Sequence, residues 1–146
     1  MTENASTMPV DLVREGACGE AFFWAESAER NVAVTVEVAY SRPASVYPTL
    51  AIPFTLPNDK VKVRVLRGQD LSRNFCTDLI TTSSEPDSMS AGPEGEGRVT
   101  IASPPSHGSA CGRTLGTLRL RGLVAEDGTE FSPITVKSPD IGCYSG

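Results

Sequence analysis

The sequence predicts an all-β fold, a single antiparallel β-sandwich of about seven to eight strands with at most one short helix. Apolar and polar residues alternate in several short runs, which is the period of a strand with one buried face. Clusters of Gly, Pro, Asn, Asp and Ser separate those runs. No stretch sustains the apolar stripe of a long helix, so the crossover helices of a parallel α/β fold are missing. At 146 residues the chain fits one domain spanning 1–146. That length can bury roughly two-thirds of the surface its unfolded form exposes.

In MTENASTMPVDLV, Met8, Val10 and Leu12 alternate after a polar lead. Residues 1–10 are expected as a flexible or edge-strand segment, with 8–13 lying along a sheet edge, the chain's own or a neighbour's. The next apolar stretch, CGEAFFWA at 18–25, sets Phe22, Phe23 and Trp24 side by side and does not alternate. With Phe22 and Trp24 facing the core, Phe23 points the other way, toward a loop, the tail or a partner. A strand covered on both faces reads this way. Phe23 therefore joins Met8, Val10 and Leu12 as the candidate partner contacts.

NVAVTVEVAY puts Val32, Val34, Val36, Val38 and Tyr40 on one face with strict alternation. TLAIPFTLP repeats the pattern with Leu50, Ile52, Phe54 and Leu56, while Pro53 lacks a ladder donor and marks an edge or a bulge. KVKVRVL turns Val61, Val63 and Val65 inward and Lys60, Lys62 and Arg64 outward. The PND turn at 57–59 is short enough to join these two strands as a hairpin, whereas 41–48 is a longer connection.

GQDLSRNFCTDLI, residues 68–80, spaces Leu71, Phe75 and Leu79 for one or two helical turns. Residues 81–97 collect Ser, Pro, Gly and acids without an apolar period and are expected as a mobile surface loop. GRVTIAS, TLGTLRLRGLVA and TEFSPITVKS read as strands, with Gly122 marking a bulge and Glu126-Asp127-Gly128 a tight turn.

The four cysteines lie far apart, without the C-x-x-C pairs of zinc or thioredoxin-like redox sites. An even count at wide spacing suits two disulfides and an oxidising compartment. The expected pairs are Cys18 with Cys143 and Cys76 with Cys111, although the spacing is compatible with the other connectivities. The order Cys18, Trp24, Cys76 is faintly similar to the Cys, Trp, Cys pattern of immunoglobulin domains. Trp24 follows Cys18 too closely to belong to the next strand, and Asn74 stands where the corner tyrosine would be. The immunoglobulin-like architecture is retained and the family is set aside.

A charge of −5, with 13 basic against 18 acidic residues, argues against nucleic acid, and the ten arginines look scattered along the chain. No apolar run is long enough to span a bilayer, so no transmembrane segment is expected. The one histidine, His107, is too few for the usual copper sites of exported β-sandwiches, and the Ser-rich loop around it lacks G-x-S-x-G. The acid pairs Glu26 and Glu29, Glu94 and Glu96, and Glu126 and Asp127 could serve glycoside hydrolysis only if a cleft brought one pair together. No cofactor is expected beyond a structural calcium ion, for which Asn58, Asp59, Asp70, Asp78, Glu85 and Asp87 are the candidate ligands.

The sequence thus describes a non-enzymatic, extracytoplasmic β-sandwich with a structural or binding role at a cell surface or in the surrounding medium. Its partner would be a protein or a surface, with a second copy of the chain included. One rival is a self-assembling subunit that donates residues 8–13 to a neighbour. The other is a secreted inhibitor or hydrolase using residues 103–110 or His107.

Overall fold

The computed structural model describes residues 8–18, 22–39, 49–76, 82–102 and 115–138. Alternating valines build the centre of the first sheet. Val32–Val38 (β3) and Val61–Arg67 (β5) pair antiparallel, with Val34 opposite Val65 and Val36 opposite Val63, and all four valines are buried. Phe22–Glu26 (β2) pairs with the other edge of β3, and Arg14–Cys18 (β1) with β2. Ser88–Ala91 (β6) closes the far side, giving the order β1-β2-β3-β5-β6.

The second sheet takes Thr49–Thr55 (β4), Glu94–Ala102 (β7), Leu115–Val124 (β8) and Ile134–Ser138 (β9) in the order β4-β7-β8-β9. Every neighbouring pair in both sheets is antiparallel. Pro53 sits on β4, an edge strand, where its missing donor costs little. Phe54, Val99, Ile101, Leu118, Leu120, Ile134 and Val136 point from this sheet into one core shared with Phe23 and the valines of the first. The result is the two-sheet sandwich that the alternation predicts.

Four expectations are corrected. The PND turn does not close a hairpin. β4 pairs with β7 and β5 with β3, so the turn carries the chain from one sheet to the other. Asn58 still acts as turn chemistry requires, its Oδ1 accepting the N–H groups of Lys60 at 2.8 Å and Val61 at 3.1 Å. A turn sets where the chain reverses; partners distant in sequence set which sheet it joins.

Residues 81–97 are not an irregular loop either, since 82–97 hold a 3-10 turn at Thr82–Ser84, all of β6 and the start of β7. The apolar period is absent for two reasons. β6 is an edge strand whose Met89 is 60% exposed. On β7, Gly97 stands at an inward position, where a Cβ would collide with the Arg119 carbonyl oxygen and the Phe54 ring.

The third correction concerns CGEAFFWA, whose phase is inverted. Phe23 is 0% exposed in the inter-sheet core, so it is no partner contact. Phe22 and Trp24 turn to the outer face of the first sheet. There a 3-10 turn at Leu71–Asn74, one short turn within the 68–80 segment, sets Phe75 over both rings; Leu79 lies outside the described residues. The ring centroids lie 5.9 Å from Phe22 and 5.5 Å from Trp24. Gly16 opposite Trp24 makes room, since a Cβ there would lie 2.6 Å from the indole.

Last, Cys18 is bonded to Cys76, not to Cys143, and Cys76 is therefore not bonded to Cys111. The bridge ties edge strand β1 to the end of the 3-10 turn on the outer face of the same sheet. It does not cross the sandwich as an immunoglobulin bridge would. Spacing misleads about the partner of Cys18 because the short turn carries Cys76 back across the sheet. Cys111 and Cys143 lie outside the described residues.

Candidate functional site

Two surfaces concentrate polar chemistry. The first surrounds Glu26, a carboxylate that is 0% exposed on the outer face of the first sheet. It accepts three hydrogen bonds, from the Ser72 N–H at 2.9 Å, the Ser72 hydroxyl at 2.7 Å and Arg14 Nε at 3.2 Å. A buried carboxylate needs such donors. Here they anchor the 3-10 turn, and with the carboxylate fully engaged the cluster is an internal clamp.

The second surface is the outer face of the four-stranded sheet. Leu118 and Leu120 fill the core, so alternation turns Arg119 and Arg121 outward on β8. On β7, buried Val99 likewise leaves Glu96 and Arg98 outside. The register then sets Arg98 directly opposite Arg119 and Glu96 opposite Arg121. Pro53 flanks Arg98 on one side and Thr135 flanks Arg119 on the other, completing a row across all four strands.

The two pairs behave differently. Arg121 Nε donates to Glu96 Oε2 at 2.9 Å, and a second guanidinium nitrogen donates to the same oxygen. The side chains of Arg98 and Arg119, both exposed, have no hydrogen bond or ion pair among the described residues. Like charges directly opposite on a sheet are destabilising. These arginines sit in a groove of about 780 Å³ whose floor includes Phe54, Leu120 and Ile134. Lys137, also exposed, lies two residues along β9 from Thr135, on the same face and diagonal to Arg119. The face thus carries Arg98, Arg119, Arg121 and Lys137 against Glu96, in a chain whose charge is −5. Paired guanidiniums aimed at solvent offer planar forks to carboxylate, sulfate or phosphate oxygens.

The residues singled out from sequence fall elsewhere. Met8 is 81% exposed. Val10 and Leu12 pack against the chain's own core. Val10 bridges in parallel to Phe131, its N–H donating to the Glu130 carbonyl at 2.8 Å and its carbonyl accepting from the Ser132 N–H at 3.0 Å. Residues 8–13 are thus an edge segment of the chain's own sandwich. His107 and residues 103–110 lie outside the described residues, as does Asp78.

Among the described residues no group of three or more His, Cys, Asp or Glu converges as a metal site would. Asp127 is held below the usual carboxylate range by hydrogen bonds from the Thr129 hydroxyl and N–H, with Arg67 adding its charge and a bond at 3.0 Å. A general acid needs the opposite shift. Among the described residues no helix is long and apolar enough to cross a membrane.

The arginine face escaped the sequence reading because its members look scattered along the chain. The one available signal was the phase of RLR at 119–121, which aims two arginines the same way. That β7 brings Arg98 against them is a fact of topology. No protein-family model, curated protein or solved structure matches this chain.

Proposed function

We propose that the chain is a non-enzymatic, exported β-sandwich binding module that takes an anionic ligand on the outer face of its four-stranded sheet. The observation that carries this reading is Arg98 directly opposite Arg119 in a groove of about 780 Å³, with no acidic partner for either among the described residues. A fold tolerates a local electrostatic cost of this kind where a site has a use for it. The Cys18–Cys76 bridge supports an oxidising compartment. The rival reading of strand donation has less support, since Val10 already spends its backbone groups within its own chain.

The test uses the mismatch between local and net charge. A protein of charge −5 should pass through a sulfonate resin near neutral pH. This one is expected to be retarded at low salt and released as salt screens the contact. The Arg98→Glu/Arg119→Glu variant, verified as folded by circular dichroism, should flow through. Flow-through of the unaltered protein, or equal retardation of both, would overturn the reading.

A further inference from the structure

We infer that the occupant of this groove is an extended acidic polysaccharide, bound through carboxylate or sulfate groups along the diagonal from Arg98 through Arg119 to Lys137. The inference rests on the reading of this face as the ligand surface and assigns its ligand class. The diagonal crosses three strands, with Arg98 opposite Arg119 and Lys137 two residues along β9 from Thr135, the residue opposite Arg119. With strands about 4.8 Å apart and a rise of about 3.3 Å per residue, its length is about 12 Å. That exceeds the reach of a single carboxylate or sulfate, so a chain of several charged units is needed to engage all three cations.

Three features choose a polysaccharide over other polyanions. The face is the middle of a sheet, with the backbone groups of β7 and β8 used by the ladders on either side. A peptide lying over Arg98 and Arg119 therefore finds no free ladder groups on β7 or β8 with which to extend the sheet. The aromatic ring at the groove, Phe54, is buried and points inward, so among the described residues no aromatic platform there is offered to a nucleic-acid base. The net charge of −5 opposes a polyanion as dense as double-stranded DNA, with a charge about every 1.7 Å, more than one whose charges stand a sugar unit or more apart. Around the cations, Thr55 and Thr135 add hydroxyls for sugar oxygens, and Pro53 and Pro133 add flat apolar surface.

The experiment is calorimetric titration of the full chain with size-fractionated κ-carrageenan and polygalacturonate oligomers, which carry a sulfate on alternate sugars and a carboxylate on each sugar, respectively. Inorganic sulfate, neutral dextran, and single- and double-stranded DNA of matched length serve as comparators. Affinity for at least one acidic oligosaccharide series should rise with chain length until the diagonal is filled and then level off. It should fall by about tenfold or more in Arg119→Glu, the loss of a charge-assisted contact. A sulfated series binding alone, or a carboxylated series alone, supports the inference and identifies the anion. Inorganic sulfate binding as tightly as the longest oligomer, DNA binding more tightly than both series, or no binding by either series would overturn it. Protein that still depends on Arg98 and Arg119 for retention on sulfonate resin would then keep the binding-module reading and lose only the ligand class.

Discussion

Replacing Cys18 and Cys76 together by alanine opens a loop that the bridge closes across a sequence separation of 58 residues. For a loop of that size the chain-entropy relation gives about 14 cal/mol/K, or about 4 kcal/mol near room temperature. Contacts in the native state set how much of this reaches the folded protein. Phe75 stays packed on Phe22 and Trp24 without the bridge, and each such ring pair contributes about 0.5–1.5 kcal/mol. Leu71, 1% exposed, and the bonds from Ser72 to Glu26 hold the same turn. The loss should therefore come chiefly from a less constrained unfolded chain.

Urea denaturation followed by Trp24, the single tryptophan, reads both quantities. The double variant should lose about 3–5 kcal/mol. Its native emission should match the parent's, and its steeper urea dependence should report a more expanded unfolded state. A loss below about 1 kcal/mol with an unchanged slope would refute the reasoning. So would a Cys18–Cys143 peptide in a digest of the unreduced parent. The same digest should yield Cys111 joined to Cys143, the one pairing left for a second bridge.

Glu26→Gln keeps the shape of the clamp but removes its charge and exchanges one acceptor for an N–H₂ facing Arg14 or Ser72. The expected loss is about 2–4 kcal/mol by equilibrium unfolding, because hydrogen bonds to a buried charged group are at stake. Arg14 is 42% exposed and can be rehydrated, which places the value toward the lower end. A Glu26→Gln variant as stable as the parent would show that hydrophobic contacts alone dock the 3-10 turn. Asp127 supplies a pH signature. Its folded pKa lies below the unfolded one, so its contribution is complete above the unfolded value and disappears as pH falls through the folded value. Urea midpoints followed down to about pH 2 should fall less steeply below about pH 4 in Asp127→Asn than in the parent. Identical acid slopes would remove Asp127 from the account.

Much of the fold can be read from side-chain period. Val61, Val63 and Val65 face the core as their alternation requires, as do Leu118 and Leu120. Glu126 and Asp127 turn the chain before Gly128, which adopts φ 90. The Gly122 bulge is legible too, since the register shifts where Gly122 and Leu123 oppose Gly95. Period fails where a strand has no alternation to show. Phe22, Phe23 and Trp24 are equally apolar, so only the identity of the covering element decides their phase, and Phe75 arrives from a turn distant in sequence.

The candidate site divides in the same way. Local alternation was enough to put Arg98, Arg119 and Arg121 on the wet side of their strands, because a buried residue beside each of them, Val99, Leu118 or Leu120, fixes the direction of every second residue. Their assembly into one cationic face depended on β7 and β8 pairing in the register that opposes Arg98 to Arg119. Strand partners, the sheet joined after the PND turn and the cysteine to which Cys18 bonds are all settled by contacts between distant parts of the chain. Local sequence sets the direction of a side chain, and the free energy of the whole packed sandwich chooses its neighbours.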